Sequence, residues 1–481
     1  MMSTASPERR RDGLPVRRSP HAAPLSVLLV ALALALAAPP AAAQHFDLER
    51  ITHQTTLDNG MQVIVVENHN VPLATVEVAV KTGAMVQDSS DQGVPHLFEH
   101  MLFSGYHGFD NANFGQEATA LHAAYNGTTS EELVTYYLQA PSRNVEKAIG
   151  MLAQMIREPH FEPNDLNKER FVVLNEMGRD LSDPRFALHR SVSRLLWGAG
   201  WSRKNTIGEQ LPLLAVTPKH LREIFDRYYV PNNAALLVTG DVDTTSVFAW
   251  ARSHFGGWKR KADPYGAYPI PPMPPLDTAR AVTVIGDVPD ITIEVAWRGP
   301  SVTADRSDTY AADVLSQVLA DDQSEFQKRL VESGMFQSAS LDYETLAHVG
   351  PIEFIGTTTV DHLAAALTVL QAEVSQLGNP DYYDPDALRI AAKQRRVNQS
   401  FEVEQAAGMA SVYADWWSVA GLPYYMTYGD SLSTRTPDDL ARYAQRYLGG
   451  HPFVIGALTR RADAEKVSVM LQQYLDMTED R

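Results

Sequence analysis

Apolar residues recur along this chain with two different periods. "MQVIVVEN" (Met61 to Asn68) and "ATVEVAVKTGA" (Ala74 to Ala84) alternate in twos, as half-buried strands do. "VEKAIGMLAQMIREP" from Val145 and "PKHLREIFDRYYV" from Pro218 carry apolar residues at helical spacing. Thr217 and Pro218 suit an N-cap and a first helical turn. "NNAALLVTGDV" then leaves Pro231 as a strand. Strands followed by helices and again strands predict an α+β fold, a mainly antiparallel sheet with helices on one face.

The pattern occurs twice. "VPLATVEVAV" from Val71 and "VPDITIEVAW" from Val288 share six of ten residues at a shift of 217. "VTPKHLREIFDRYYVPNNAALLVTGD" from Val216 is echoed by "RTPDDLARYAQRYLGGHPFVIGALTR" from Arg435, where Thr217 and Thr436 are shifted by 219. Two echoes at nearly one offset predict two homologous halves, 44–258 and 281–481. Between them, "KRKADPYGAYPIPPMPPLDTAR" (Lys259 to Arg280) is rich in proline and reads as an extended linker.

Residues 1–43 belong outside the fold. Arg9, Arg10, Arg11, Arg17 and Arg18 precede the apolar run "LSVLLVALALALAA", and "AAAQ" offers a cleavage site after Ala43. The run is short for a membrane span, so a cleaved signal peptide and a periplasmic or secreted mature chain are expected.

The 481 residues contain no cysteine, which removes disulfides, thiolate ligands and cysteine nucleophiles. Any metal must be held by histidine and carboxylate. The formal charge of −17 becomes −20 when the leader's five arginines and two acids are removed. Nucleic acid is a poor partner for such a surface. A cationic peptide suits it better.

The chemistry centres on "GVPHLFEHMLFSG" (Gly93 to Gly105). As a helix opened by Pro95, it puts His96 and His100 one turn apart on one face, as two imidazoles sharing a metal require. Alone, the string equally describes two hydrogen-bonded core histidines. Catalytic zinc needs three protein ligands and an open position. Glu99 adjoins His100 and is better placed beside a reacting water. In "NKERFVVLNEMGRD", Glu169 and Glu176 stand two helical turns apart on one face amid apolar residues, and a cation would account for them.

HxxEH followed some seventy residues later by these two glutamates resembles the pitrilysin/insulinase family, the inverzincins. "YNGTTSEELVTYYLQAP" (Tyr125 to Pro141) is similar to that family's asparagine-bearing edge strand, and the Thr217 segment to its helix-to-strand signature. The likeness extends over residues 46 to 470, nearest to short bacterial members related to mitochondrial processing peptidase. It implies a clamshell of two α/β-sandwich-like halves and a zinc metalloendopeptidase with one Zn2+ per chain. His96, His100 and Glu176 would bind the ion. Glu99 would be the general base, Glu169 would steady a ligand histidine, and Asn126 would hold substrate backbone. A catalytically silent structural subunit is the competing reading.

The second half departs from the first. His96 shifted by 217 falls on Asp313, in "AADVLSQVLADD", where no HxxEH exists. The resemblance also implies a substrate-holding arginine and tyrosine on the non-catalytic half, yet "GPIEFIGTTTV" contains neither. A dimer is therefore expected, with a homologous subunit that lacks HxxEH as its partner. The aromatic stretch "YADWWSVAGLPYYMTYGD" (Tyr413 to Asp430) reads as core ahead of a chamber wall.

Overall fold

A computed structural model describes residues 48–106, 109–402 and 406–479. The signal peptide expected at 1–43 lies outside the described residues.

Among the described residues the first half builds a two-stranded pair, Gly105–Tyr106 with Phe109–Asp110, and six further strands: β1 (Thr52–Thr56), β2 (Gln62–Glu67), β3 (Leu73–Val80), β4 (Ala124–Thr129), β5 (Val134–Pro141) and β6 (Ala234–Gly240). The six form one sheet in the order β1-β2-β6-β3-β5-β4. The second half builds β7 (Arg280–Ile285), β8 (Ile291–Arg298), β9 (Ser338–Tyr343), β10 (Pro351–Thr358) and β11 (Val454–Thr459) in the order β9-β10-β8-β11-β7. In each sheet the only parallel pair is the equivalent one, β2 with β6 and β7 with β11. The other pairs are antiparallel.

Strand register reproduces the sequence repeat. Glu77 of β3 faces Leu237 of β6, and Glu294 of β8 faces Gly456 of β11. The two shifts, 217 and 219, are those of the two sequence echoes. The helix-to-strand echo also holds. Thr217 and Thr436 each cap a helix that begins with proline, their side chains accepting from the backbone N–H groups of His220 and Asp439.

The helices that matter for the site are α1 (Val94–Phe103), α2 (Val145–Arg157), α3 (Pro163–Leu181), α4 (Pro184–Trp197), α5 (Pro218–Tyr228), α6 (Thr244–Phe255), α7 (Arg306–Leu319) and α8 (Ala406–Val419). One face of the first sheet is covered by this half's own helices, with Val63, Val65, Val76 and Val78 packed against Phe98, Ile149, Phe225 and Val247. The other face is covered by a helix of the second half. Ile64, Val66, Ala235 and Leu237 meet Met409, Tyr413 and Trp417 of α8. Burial on both faces corrects the half-buried, alternating reading of β2, since Val63, Ile64, Val65 and Val66 are all buried.

The loan is mutual. Helix α4 of the first half lays Leu188, Val192 and Leu196 on Ala296, Val454 and Leu458 of the second sheet. Gly456 permits this approach, since a Cβ there would lie 2.3 Å from Val192. Each half thus places its own helices on one face and receives one helix on the other.

Tyr413, Tyr424, Tyr425 and Tyr428 are buried, so the aromatic stretch is core, as its bland reading expects. The Pro-rich segment carries one short helical turn and lies against the first half, where the Tyr265 hydroxyl donates to the Lys81 carbonyl and Arg203 donates to the carbonyls of Pro271 and Pro272. Among the described residues no helix is long and apolar enough to cross a membrane.

Candidate active site

Helix α1 starts at Gly93, whose φ of 87° suits glycine, with proline in its first turn. Its apolar side is fixed by Phe98, 4.4 Å from the Tyr229 ring centre and 5.2 Å from that of Phe161. That packing turns His96 and His100 the other way, toward α3. Their rings stand 4.9 Å apart at 84°.

Helix α3 brings Glu176 to both histidines. Its Oε2 lies 3.7 Å from His96 Nε2 and 3.5 Å from His100 Nε2. One ligand atom from each of the three residues falls within 4.8 Å of the others. Two ligands held at about 2.1 Å from a tetrahedral ion lie about 3.4 Å apart, so these spacings suit a zinc-sized cation. The donor set, two imidazoles and one carboxylate, suits it too. Two turns earlier, Glu169 lies 3.4 Å from His100 Nδ1. The sequence-predicted residues His96, His100, Glu176 and Glu169 therefore meet at one place.

Electrostatics prepare the two imidazoles differently. Burial, helped by the charge of His100, pushes His96 down to about 4, so it is neutral and able to ligate. Burial opposes charge on His100 as well, but the hydrogen bond it donates to Glu169 and the nearby carboxylates outweigh it and raise its pKa. The same contact with His100 lowers Glu169.

Glu99 is buried on α1 and leans on strand β4. Its Oε2 accepts a 2.8 Å hydrogen bond from the Thr129 hydroxyl. Its Oε1 lies 2.7 Å from where a Cβ on Gly127 would stand. The glycine is a cradle for the carboxylate. Burial raises the Glu99 pKa against the pull of Thr129 and His100. Gly127 and Thr129 were not singled out by sequence reasoning. Their spacing of two in a predicted edge strand was the available signal.

Asn126 is exposed on β4, which pairs only with β5 and forms the sheet edge. The site opens into a cavity of about 810 Å³ lined by Asn126, the HxxEH residues, Glu169 and Glu176. Its far wall includes Glu344, Pro351 and Glu353 of the second half. Among the described lining residues the second half contributes no arginine or tyrosine, so the expected pair is not brought to this cavity. Glu131 also lines it, and burial, partly offset by Lys204 at 2.5 Å, pushes its carboxyl up to about 7. Asp313, the counterpart of His96, is half-buried on α7 and accepts from the Tyr428 hydroxyl at 2.8 Å.

Known proteins place this architecture. The insulinase (peptidase family M16) model matches residues 62–204, and the peptidase M16 inactive-domain model matches residues 215–393. The zinc protease PqqE of Helicobacter pylori is 25% identical over 433 residues, 88% of this chain and 94% of that protein. The crystal structure of a protease from Helicobacter pylori superimposes with a TM-score of 0.75 at 21% identity, over 85% of this chain and 99% of that one. The periplasmic protease PqqL from Escherichia coli gives a TM-score of 0.70 at 17% identity, over 88% of this chain but 50% of its own. At such identities the structural likeness speaks to the fold. One family model falls on the half that carries the histidines, and the inactive-domain model begins at residue 215 of that half and extends to residue 393 of the half that lacks them. The chain belongs to the insulinase family of peptidases.

Proposed function

We propose that this chain is an exported zinc metalloendopeptidase that hydrolyses peptides or unfolded polypeptides. The observation that carries the reading is the convergence of His96, His100 and Glu176 beside a buried Glu99, against an open sheet edge.

His96, His100 and Glu176 would hold Zn2+. When bound, the ion supplies Lewis acidity that lowers the pKa of a water and polarises the scissile carbonyl. Glu99 accepts the proton of the attacking water while the oxygen adds to the carbonyl carbon. The C–N bond then breaks, and Glu99 returns the proton to the leaving amine. Thr129 fixes the rotation of the Glu99 carboxylate. Glu169 orients His100. The peptide lies beside β4 as an added strand, its backbone assisted by Asn126.

The arginine-rich leader supports export to the periplasm. A second-half wall without arginine or tyrosine supports assembly with a homologous subunit lacking HxxEH. PqqL is about twice the length of the region matched here, which covers 50% of it.

The test is hydrolysis of quenched-fluorescent peptides by the chain with and without such a subunit, for wild type and Glu99→Gln. Glu99→Gln lowers kcat by about 10²- to 10⁴-fold while keeping the zinc that His96→Ala loses. A silent subunit would show no turnover in any assembly and no difference between the two. Full activity of the isolated chain would overturn the heterodimer.

A further inference from the structure

The sequence repeat provides an internal comparison. Glu77 and Glu294 occupy the same position in the two halves, and the register makes Thr135 the counterpart of Glu353, since Ala79 faces Thr135 as Ala296 faces Glu353. Each position is covered by a helix from the opposite half. In the first sheet Glu77 meets Thr135 and the charge of Asp415, with no histidine. In the second sheet, α4 presents His189 to Glu294 and Glu353.

His189 Nδ1 lies 3.1 Å from Glu294 Oε1 and 3.6 Å from Glu353 Oε1. One ligand atom from each falls within 4.8 Å of the others, the same criterion met by His96, His100 and Glu176. The longer spacing exceeds a hydrogen bond but matches the ~3.4 Å between two ligands of one ion. Glu353 Oε1 is itself buried without a hydrogen-bond partner. The Glu294 side chain is 3% exposed. His189 and Glu353 line the cavity, so the cluster is reachable from it, and Glu344 adds a third carboxylate nearby. One imidazolium cannot balance these acids, and burial leaves Glu353 pushed up to about 7.

We propose that His189, Glu294 and Glu353 form a second divalent-cation site, distinct from the HxxEH site and facing the same cavity. One imidazole and two carboxylates suit a first-row transition ion, with the remaining positions turned to the cavity. The ion replaces the His189 proton and ties α4 of the first half to β8 and β10 of the second. The proposal does not depend on peptidase activity.

The test is zinc uptake by the metal-stripped mature chain at equilibrium dialysis, read by elemental mass spectrometry. Wild type and Glu77→Gln take up two equivalents. His189→Ala and the milder Glu353→Gln take up one. The double variant His96→Ala/His100→Ala, which leaves α4 intact, still takes up one. The double variant binding none overturns the second site, whatever the HxxEH site of the wild type binds. So does uptake of two equivalents by a folded His189→Ala.

Discussion

Gly127 is where the catalytic proposal is most exposed to a single atom. A Cβ there would stand 2.7 Å from Glu99 Oε1 and 2.9 Å from its Cγ, so Gly127→Ala must displace the carboxylate. A shift near 1 Å costs about 10²-fold in turnover. The expected result is a kcat loss of that order with zinc retained, checked by parallel kinetics and metal analysis. Glu169→Gln weakens the orientation of His100 and lowers zinc affinity about 10- to 100-fold, read by competition with a chelating dye. The pairing of His96 with His100 and of Glu169 with Glu176 on shared faces was legible from helical spacing, while the proposed metal role of His96, His100 and Glu176 came from the family resemblance. Gly127 was not legible, because the reason for a missing side chain lies on another element, in the Glu99 carboxylate that packs into its place.

At the scale of elements, β4 leaves one edge of the first sheet unpaired among the described residues, beside the candidate metal centre. A peptide that adds to it draws affinity from main-chain hydrogen bonds. N-methylation of alternate amides in a short substrate therefore raises KM by about tenfold per lost bond, whereas the opposite set changes it little. Steady-state kinetics on the two peptide series checks this. The strands, the capped helices at Thr217 and Thr436 and the doubled order were all readable from period and repeat. The exchange of α4 and α8 between halves was not. Hydrophobic spacing says that a helix has a face to bury but not which sheet receives it. Gly456, where the first half has Leu237, marks the docking place only once Val192 and Leu188 are seen above it. Burial on the borrowed side also puts Glu294 and Glu353 beside His189, which is 105 residues from Glu294 in sequence.

In the whole molecule, the two halves are also joined at Glu132. Its carboxylate accepts from the backbone N–H groups of Ala347 and His348 at 2.6 and 2.9 Å and lies 2.7 Å from His348 Nδ1. Burial alone would raise its pKa, but these contacts outweigh it and lower it. A lowered carboxylate contributes stability that is present above its unfolded pKa and lost as pH falls through the folded value. Glu132→Ala leaves the half-buried donors of Ala347 and His348 without their acceptor and costs about 1–3 kcal/mol. Urea unfolding across pH checks both the loss and its fading on the acid side. The second-half wall of the cavity carries Glu344 and Glu353. The central claim is that Glu99 moves the proton at a zinc site built by His96, His100 and Glu176. It is tested most directly by peptide hydrolysis in the assembled enzyme, comparing zinc-loaded wild type with zinc-loaded Glu99→Gln. The account predicts equal metal content and a kcat lower by about 10²- to 10⁴-fold. Equal turnover by the two proteins would contradict it.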